Sequence, residues 1–82
     1  MIENNNSKIF INIINKTLNI SLDDININLS QDDCITWDSL THITLINKLE
    51  ETFNVSFSKQ DIFDMYTIED VKNHLLKLGV KI

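Results

Sequence analysis

Three residues near the middle of the chain are of types that do chemistry. Asp38, Ser39 and His42 lie in the run Trp37-Asp38-Ser39-Leu40-Thr41-His42. A carboxylate, a hydroxyl and an imidazole are the parts of a hydrolase triad, but a triad needs them to converge beside an oxyanion site. Here they crowd the start of one helix, where Asp38 and His42 at i, i+4 are placed to pair with each other. The single glycine leaves no glycine-rich loop for an oxyanion hole or a phosphate cradle. A serine at a helix start is most often a cap. Asp38 can take that role itself, which leaves the Ser39 hydroxyl free at the first turn. A phosphate ester on Ser39 would lie against unpaired N–H groups and the positive end of the helix dipole, a setting that suits an anion. His42 reads as an exposed helix residue, near enough to pair weakly with such a phosphate when protonated.

The other chemically competent residues carry less. Asp23-Asp24 and Asp32-Asp33 lack the spacing and the glycine of an EF-hand, so adventitious divalent binding is the most they imply and no metal site is expected. Cys34 is the sole cysteine, which excludes an intramolecular disulfide and a zinc cluster of cysteines. Its neighbours are acidic, so it reads as a small buried residue rather than a reactive thiol. Trp37 reads as a core or loop-plugging residue. Met65 and Tyr66 read mainly as packing, with Met65 placed to line a chain bound between the second and third helices.

Four amphipathic segments must position these residues. Ser7 can cap a first helix whose stripe is Phe10, Ile13, Ile14, Thr17 and Leu18, flanked by Ile9 and Ile11 and ending near Asn19. Asp38 or Ser39 opens the strongest helix, with Leu40, Ile43, Ile46, Leu49 and Phe53 on the apolar face and Leu45 on its shoulder. Thr41, Thr44, Asn47, Lys48 and Glu51 form its polar face. Ser58 with Asp61 has the form of a capping box before Ile62, Phe63 and Met65, which predicts a short third helix. Thr67 with Asp70 repeats the signal and launches Ile68, Val71, Leu75 and Leu78. Gly79 then sits where a left-handed residue ends a helix, with Val80 folding back on Leu75.

Two short segments compete with this reading. Ile25, Ile27 and Leu29 alternate with Asn26 and Asn28, and Phe53, Val55 and Phe57 alternate with Asn54 and Ser56. By period these are strands, yet a lone two-stranded ribbon is marginal in water. The alternative is an ordered loop whose alternate side chains plug a helical core.

Composition narrows the function further. The chain has 82 residues, with seven lysines, no arginine and twelve carboxylates, for a net charge of −5. One domain is expected, and a nucleic-acid backbone binder, which needs a cationic footprint, is excluded. Residues 1–70 carry −8 and residues 71–82 carry +3, so the acidic surface belongs to the first three helices and their loops. No apolar run approaches the ~18 residues of a membrane span. The polar start Met1-Ile2-Glu3-Asn4-Asn5-Asn6-Ser7 lacks a secretion pattern, so no membrane partner and a cytoplasmic location are expected.

With these elements in place, the sequence resembles the acyl carrier proteins, small acidic four-helix carriers of fatty-acid, polyketide and related pathways. The resemblance rests on Asp38-Ser39-Leu40 at the start of the second helix, the stripe Ile43, Ile46 and Leu49, and the acidic end Glu50-Glu51-Thr52-Phe53. It continues through Asp61 to Met65, the Thr67-Ile68 turn and the last helix, and spans residues 8–79 of a single domain, 1–82. It implies an all-α, small antiparallel four-helix bundle with three longer helices, a short third one, and a long ordered loop between the first two. It implies a carrier rather than an enzyme, a phosphoprotein esterified on Ser39 with 4′-phosphopantetheine from coenzyme A by a separate magnesium-dependent transferase. The terminal thiol of that arm would hold an acyl or aminoacyl group as a thioester. Asp38 would be read by the phosphopantetheinyl transferase, and Leu40 would anchor the helix and contact partners. Thr41, Thr44, Glu50, Glu51 and Met65 complete the expected partner surface. An acyl- or aminoacyl-loading ligase and acyltransferases or synthases are the further expected partners of a monomeric protein.

The chain also departs from the family. The housekeeping fatty-acid carriers usually hold acids just after the serine and one turn on, where this chain has Thr41 and Thr44, and Trp37 precedes the aspartate. These departures point to a specialised stand-alone carrier for a dedicated pathway. The alternative reading is a small acidic helical interaction module in which Ser39 is only a cap.

Overall fold

The computed structural model describes residues 5–82. Helices α1 (Asn5–Leu18), α2 (Ser39–Phe53), α3 (Lys59–Asp64) and α4 (Ile68–Lys77) follow one another in chain order. Among the described residues there is no strand, only an isolated antiparallel bridge between Ser30 and Thr67. The core is the sum of single helix faces. Phe10, Ile14 and Leu18 of α1 are buried at i, i+4, i+8, and Ile68, Val71 and Leu75 of α4 at i, i+3, i+7. Leu45, Ile46 and Leu49 of α2 meet them, and Cys34, Trp37, Phe57, Met65 and Val80 fill the gaps from the connecting segments. No helix among the described residues is long and apolar enough to cross a membrane.

Helix starts follow the capping chemistry with two corrections. Thr67 and Asp70 form a complete box: the Thr67 hydroxyl accepts from the Asp70 N–H at 3.0 Å, and the Asp70 carboxylate accepts from the Thr67 N–H at 3.1 Å. Ser58 accepts from the Asp61 N–H at 3.1 Å, but the return bond is replaced by an approach of Asp61 to His74, Oδ1 to Nε2 at 3.6 Å. Ser7 is not a cap, because the helical ladder already runs through Asn5 and Asn6. Only one face of α1 meets neighbours: Ile9 is exposed while Ile11 and Ile13 are half-buried.

Three helices stop by the same backbone device. Asn19, Asn54 and Gly79 have φ of 55°, 55° and 91°. The residue after each donates its N–H to the carbonyl five positions back: Ile20 to Asn15, Val55 to Glu50, Val80 to Leu75. At Gly79 a second bond to Leu76 completes the Schellman pattern read in the sequence.

The alternating segments are plugging loops. Phe57 is buried and Val55 half-buried, while Asn54 and Ser56 face solvent. In the long loop, Ile25 and Leu29 are half-buried but Ile27 is exposed. That loop spends its backbone groups on the α3–α4 corner instead of on a ladder. The N–H of Ile68 reaches Leu29 O, the N–H of Glu69 reaches Ile27 O, and Gln31 donates to Tyr66 O and Met65 O. The segment that leads into Ser39 is therefore tied to the turn between α3 and α4.

Candidate functional site

Asp38 caps α2. Its φ and ψ are −90° and −177°, extended as an N-cap requires, and its carboxylate accepts from the Thr41 N–H at 2.8 Å. Its backbone carbonyl takes the first helical bond, from His42 N–H at 2.8 Å. The Thr41 N–H foremost, and the Thr41 hydroxyl next, hold the Asp38 carboxyl below the usual carboxylate range, so the cap is an anion at neutral pH.

Ser39 is the first residue of α2, exposed, and its hydroxyl has no hydrogen-bond partner among the described residues. The first turn contains no acidic side chain to repel an anion other than the cap itself. Leu40 follows at 77% exposure and Ile43 at 41%, which corrects the expected helix face. The sequence stripe put Leu40 and Ile43 on the apolar face, and the family resemblance implied that Leu40 anchors the helix. The buried side instead runs through His42, Leu45, Ile46 and Leu49. Leu40 and Ile43 therefore stand on the surface beside the serine.

His42 is buried, not exposed, and it does not face Ser39. Its Nδ1 accepts from Trp37 Nε1 at 3.1 Å and its Nε2 lies 2.7 Å from Ile62 O. The Asp38–His42 pairing suggested by their spacing does not form, because the carboxylate is committed to Thr41 and the ring to Trp37 and Ile62. No hydrolase arrangement exists here. Nothing in the sequence singled out this contact, since Trp37 and His42 become partners only when the loop turns into α2.

The remaining candidates separate by exposure. Thr44 and Glu51 face solvent and Thr41 is half-exposed. The Thr44 hydroxyl donates to Leu40 O at 3.1 Å within the helix. Glu50 is half-buried and its Oε2 accepts from the Phe57 N–H at 2.8 Å, so one of the two acids at the end of α2 holds the following loop. Met65 is 1% exposed and lies in the core between α3 and α4, away from the surface. Cys34 is buried.

The head of α2 thus leaves the Ser39 hydroxyl bare among the described residues, with Asp38 and His42 on either side of it occupied elsewhere. The chain belongs to the phosphopantetheine attachment site family, whose model matches residues 8–75. Among solved structures it is similar to a protein from Mycobacterium tuberculosis described as an acyl carrier protein. The two share 26% identity with a TM-score of 0.72, over 85% of this chain and 93% of that one. No curated protein sequence matches. The family consists of carriers, so the chain is not an enzyme, and its cofactor is covalently attached 4′-phosphopantetheine. The head of α2 fits such a group, because it offers an exposed, unpaired hydroxyl at a helix N-terminus whose dipole favours a phosphodiester.

Proposed function

We propose that Ser39 is the residue esterified by 4′-phosphopantetheine, and that residues 8–79 form one carrier unit that delivers acyl or aminoacyl groups to the enzymes of a dedicated pathway. One observation carries the assignment: Asp38 caps α2, so the Ser39 hydroxyl has no structural task. When bound, the arm supplies a thiol that holds cargo as a thioester. The chain's own part is to present the hydroxyl, to keep the Asp38 carboxylate beside it for the transferase to read, and to offer a docking face. Leu40, Ile43, Thr41, Thr44 and Glu51 make that face, while Glu50 and Met65 serve the fold.

A specialised role is supported by charge. From Ser39 to Asn47, α2 carries no aspartate, glutamate, lysine or arginine. Charge on a docking face acts mostly through on-rate and partner choice. Synthases that recognise carriers by an acidic second helix would therefore engage this one poorly, and a loading ligase and acyltransferases of its own pathway are the fitting partners. The reading of Ser39 as a mere cap has lost its physical basis, because that cap is Asp38.

Incubation with coenzyme A, magnesium and a promiscuous phosphopantetheinyl transferase tests the assignment by intact mass. Wild type gains one phosphopantetheine and Ser39→Ala gains none. No gain on wild type with several transferases refutes the proposal.

A further inference from the structure

The contact between Trp37, His42 and Ile62 is more than a packing detail. An indole N–H can only donate, so His42 Nδ1, 3.1 Å from Trp37 Nε1, must accept and carries no proton. A backbone carbonyl can only accept, so His42 Nε2, 2.7 Å from Ile62 O, must donate. The two neighbours together fix a neutral ring with its proton on Nε2. A second proton on the ring would have to displace the indole N–H.

The relay joins the segment before the serine, the first turn of α2 and α3. Trp37 lies two residues before Ser39, His42 is in the first turn of α2, and Ile62 belongs to α3. Helix α3 has six residues, too few to persist without outside support, and none of its residues is fully buried. It depends on the Ser58 cap, the approach of Asp61 to His74, and the bond from His42. Phe63, next in the chain to Ile62, is 78% exposed, and Leu40 and Ile43, which flank His42 on α2, are exposed as well. The relay therefore sets where an apolar residue of α3 stands relative to two of α2.

The geometry points to His42 as a positioning residue for the modification of Ser39. As a neutral ring protonated on Nε2, it fixes α3 against the head of α2 and so aligns Phe63 with Leu40 and Ile43 as one docking face for the transferase. This rests on the assignment of Ser39 made above.

Two measurements test it. The first is imidazole and indole nitrogen NMR on the unmodified protein, which needs no transferase. His42 Nδ1 is expected in the unprotonated range, and the Trp37 indole N–H shifted by its bond. A proton on Nδ1 overturns the proposal. The second is steady-state transferase kinetics on wild type, His42→Gln, His42→Ala and Leu75→Ala, each at a temperature where it is folded. His42→Ala loses both bonds and raises KM for the carrier about five- to tenfold, with kcat within about twofold. Glutamine can still donate to Ile62 O, so His42→Gln recovers much of the loss and serves also if the alanine variant does not fold. Leu75→Ala weakens the core without touching the relay and leaves KM at the wild-type value. An unchanged KM in both His42 variants, or an equal rise in Leu75→Ala, overturns the positioning role. Absence of any modification of wild type overturns the Ser39 assignment and this role with it, while the NMR result still reports whether the relay exists.

Discussion

Replacing Ser39 with alanine separates two roles that a serine at a helix start can play. If the hydroxyl capped α2, its removal would cost about 1 kcal/mol. For a domain of this size that lowers Tm by roughly 4–8 °C. The structure assigns the cap to Asp38, whose carboxylate lies 2.8 Å from the Thr41 N–H, and gives the Ser39 hydroxyl no partner among the described residues. An exposed side chain with no bond to lose changes stability by no more than about 0.5 kcal/mol. The expected Tm of Ser39→Ala is thus within about 2–4 °C of wild type, above or below. Trp37 supplies the assay: it is the chain's one tryptophan and is 2% exposed, so its fluorescence reports loss of the core in thermal or urea unfolding. A companion Asp38→Ala variant is the positive control, and it should be clearly the less stable of the two. A fall in Tm well beyond about 4 °C in Ser39→Ala, matching that of Asp38→Ala, would refute the reasoning, because the hydroxyl would then have a structural role.

Acid should weaken the fold through Asp38 and Asp70. Burial pushes the Asp70 carboxyl up, but the N–H groups of Tyr66 and Thr67, the Thr67 hydroxyl and His74 outweigh it and hold the group below its usual range. A folded-state pKa below the unfolded one gives stability that is complete above about pH 4 to 5 and is lost as pH falls through the folded value. Asp70→Asn should flatten the urea midpoint over that acid range, and an unchanged slope would count against the box. Gly79→Ala meets no atom within 4 Å of its new Cβ, so only the φ of 91° opposes it. Its expected cost is about 1–2 kcal/mol by urea unfolding, with Gly79→Asn closer to wild type. Leu40→Ala and Leu75→Ala form a contrast: Leu40 is 77% exposed and Leu75 fully buried. The first should leave stability within about 0.5 kcal/mol and weaken transferase binding, whereas the second should cost about 2–5 kcal/mol.

The parts legible in the sequence are those fixed by neighbours along the chain. Thr67 with Asp70, the stop at Gly79, and the cap at Asp38 each involve residues within five positions, and each was readable from residue type and spacing. The all-α assignment of the alternating segments needed the family resemblance, because Phe53, Val55 and Phe57 have the period of a strand whether they pair in a sheet or plug a core. The buried face of α2 was misplaced for a related reason. Its apolar residues fit two stripes, and the correct one passes through a histidine that hydropathy counts as polar. His42 is buried because Trp37 and Ile62 satisfy both ring nitrogens, and Ile62 lies twenty residues away. Spacing cannot announce a bond of that kind.

The manner in which the helices stop also bears on how fast the chain can fold. Their ends are made by Asn19, Asn54 and Gly79, and the sequence contains no proline. Prolyl isomerisation, with its time constant of tens of seconds, is therefore absent from folding. Left-handed stops form as the last turn of each helix closes, and a helical domain rich in local contacts folds in microseconds to milliseconds. Once unfolded, the domain therefore has no slow proline step between it and its native helices.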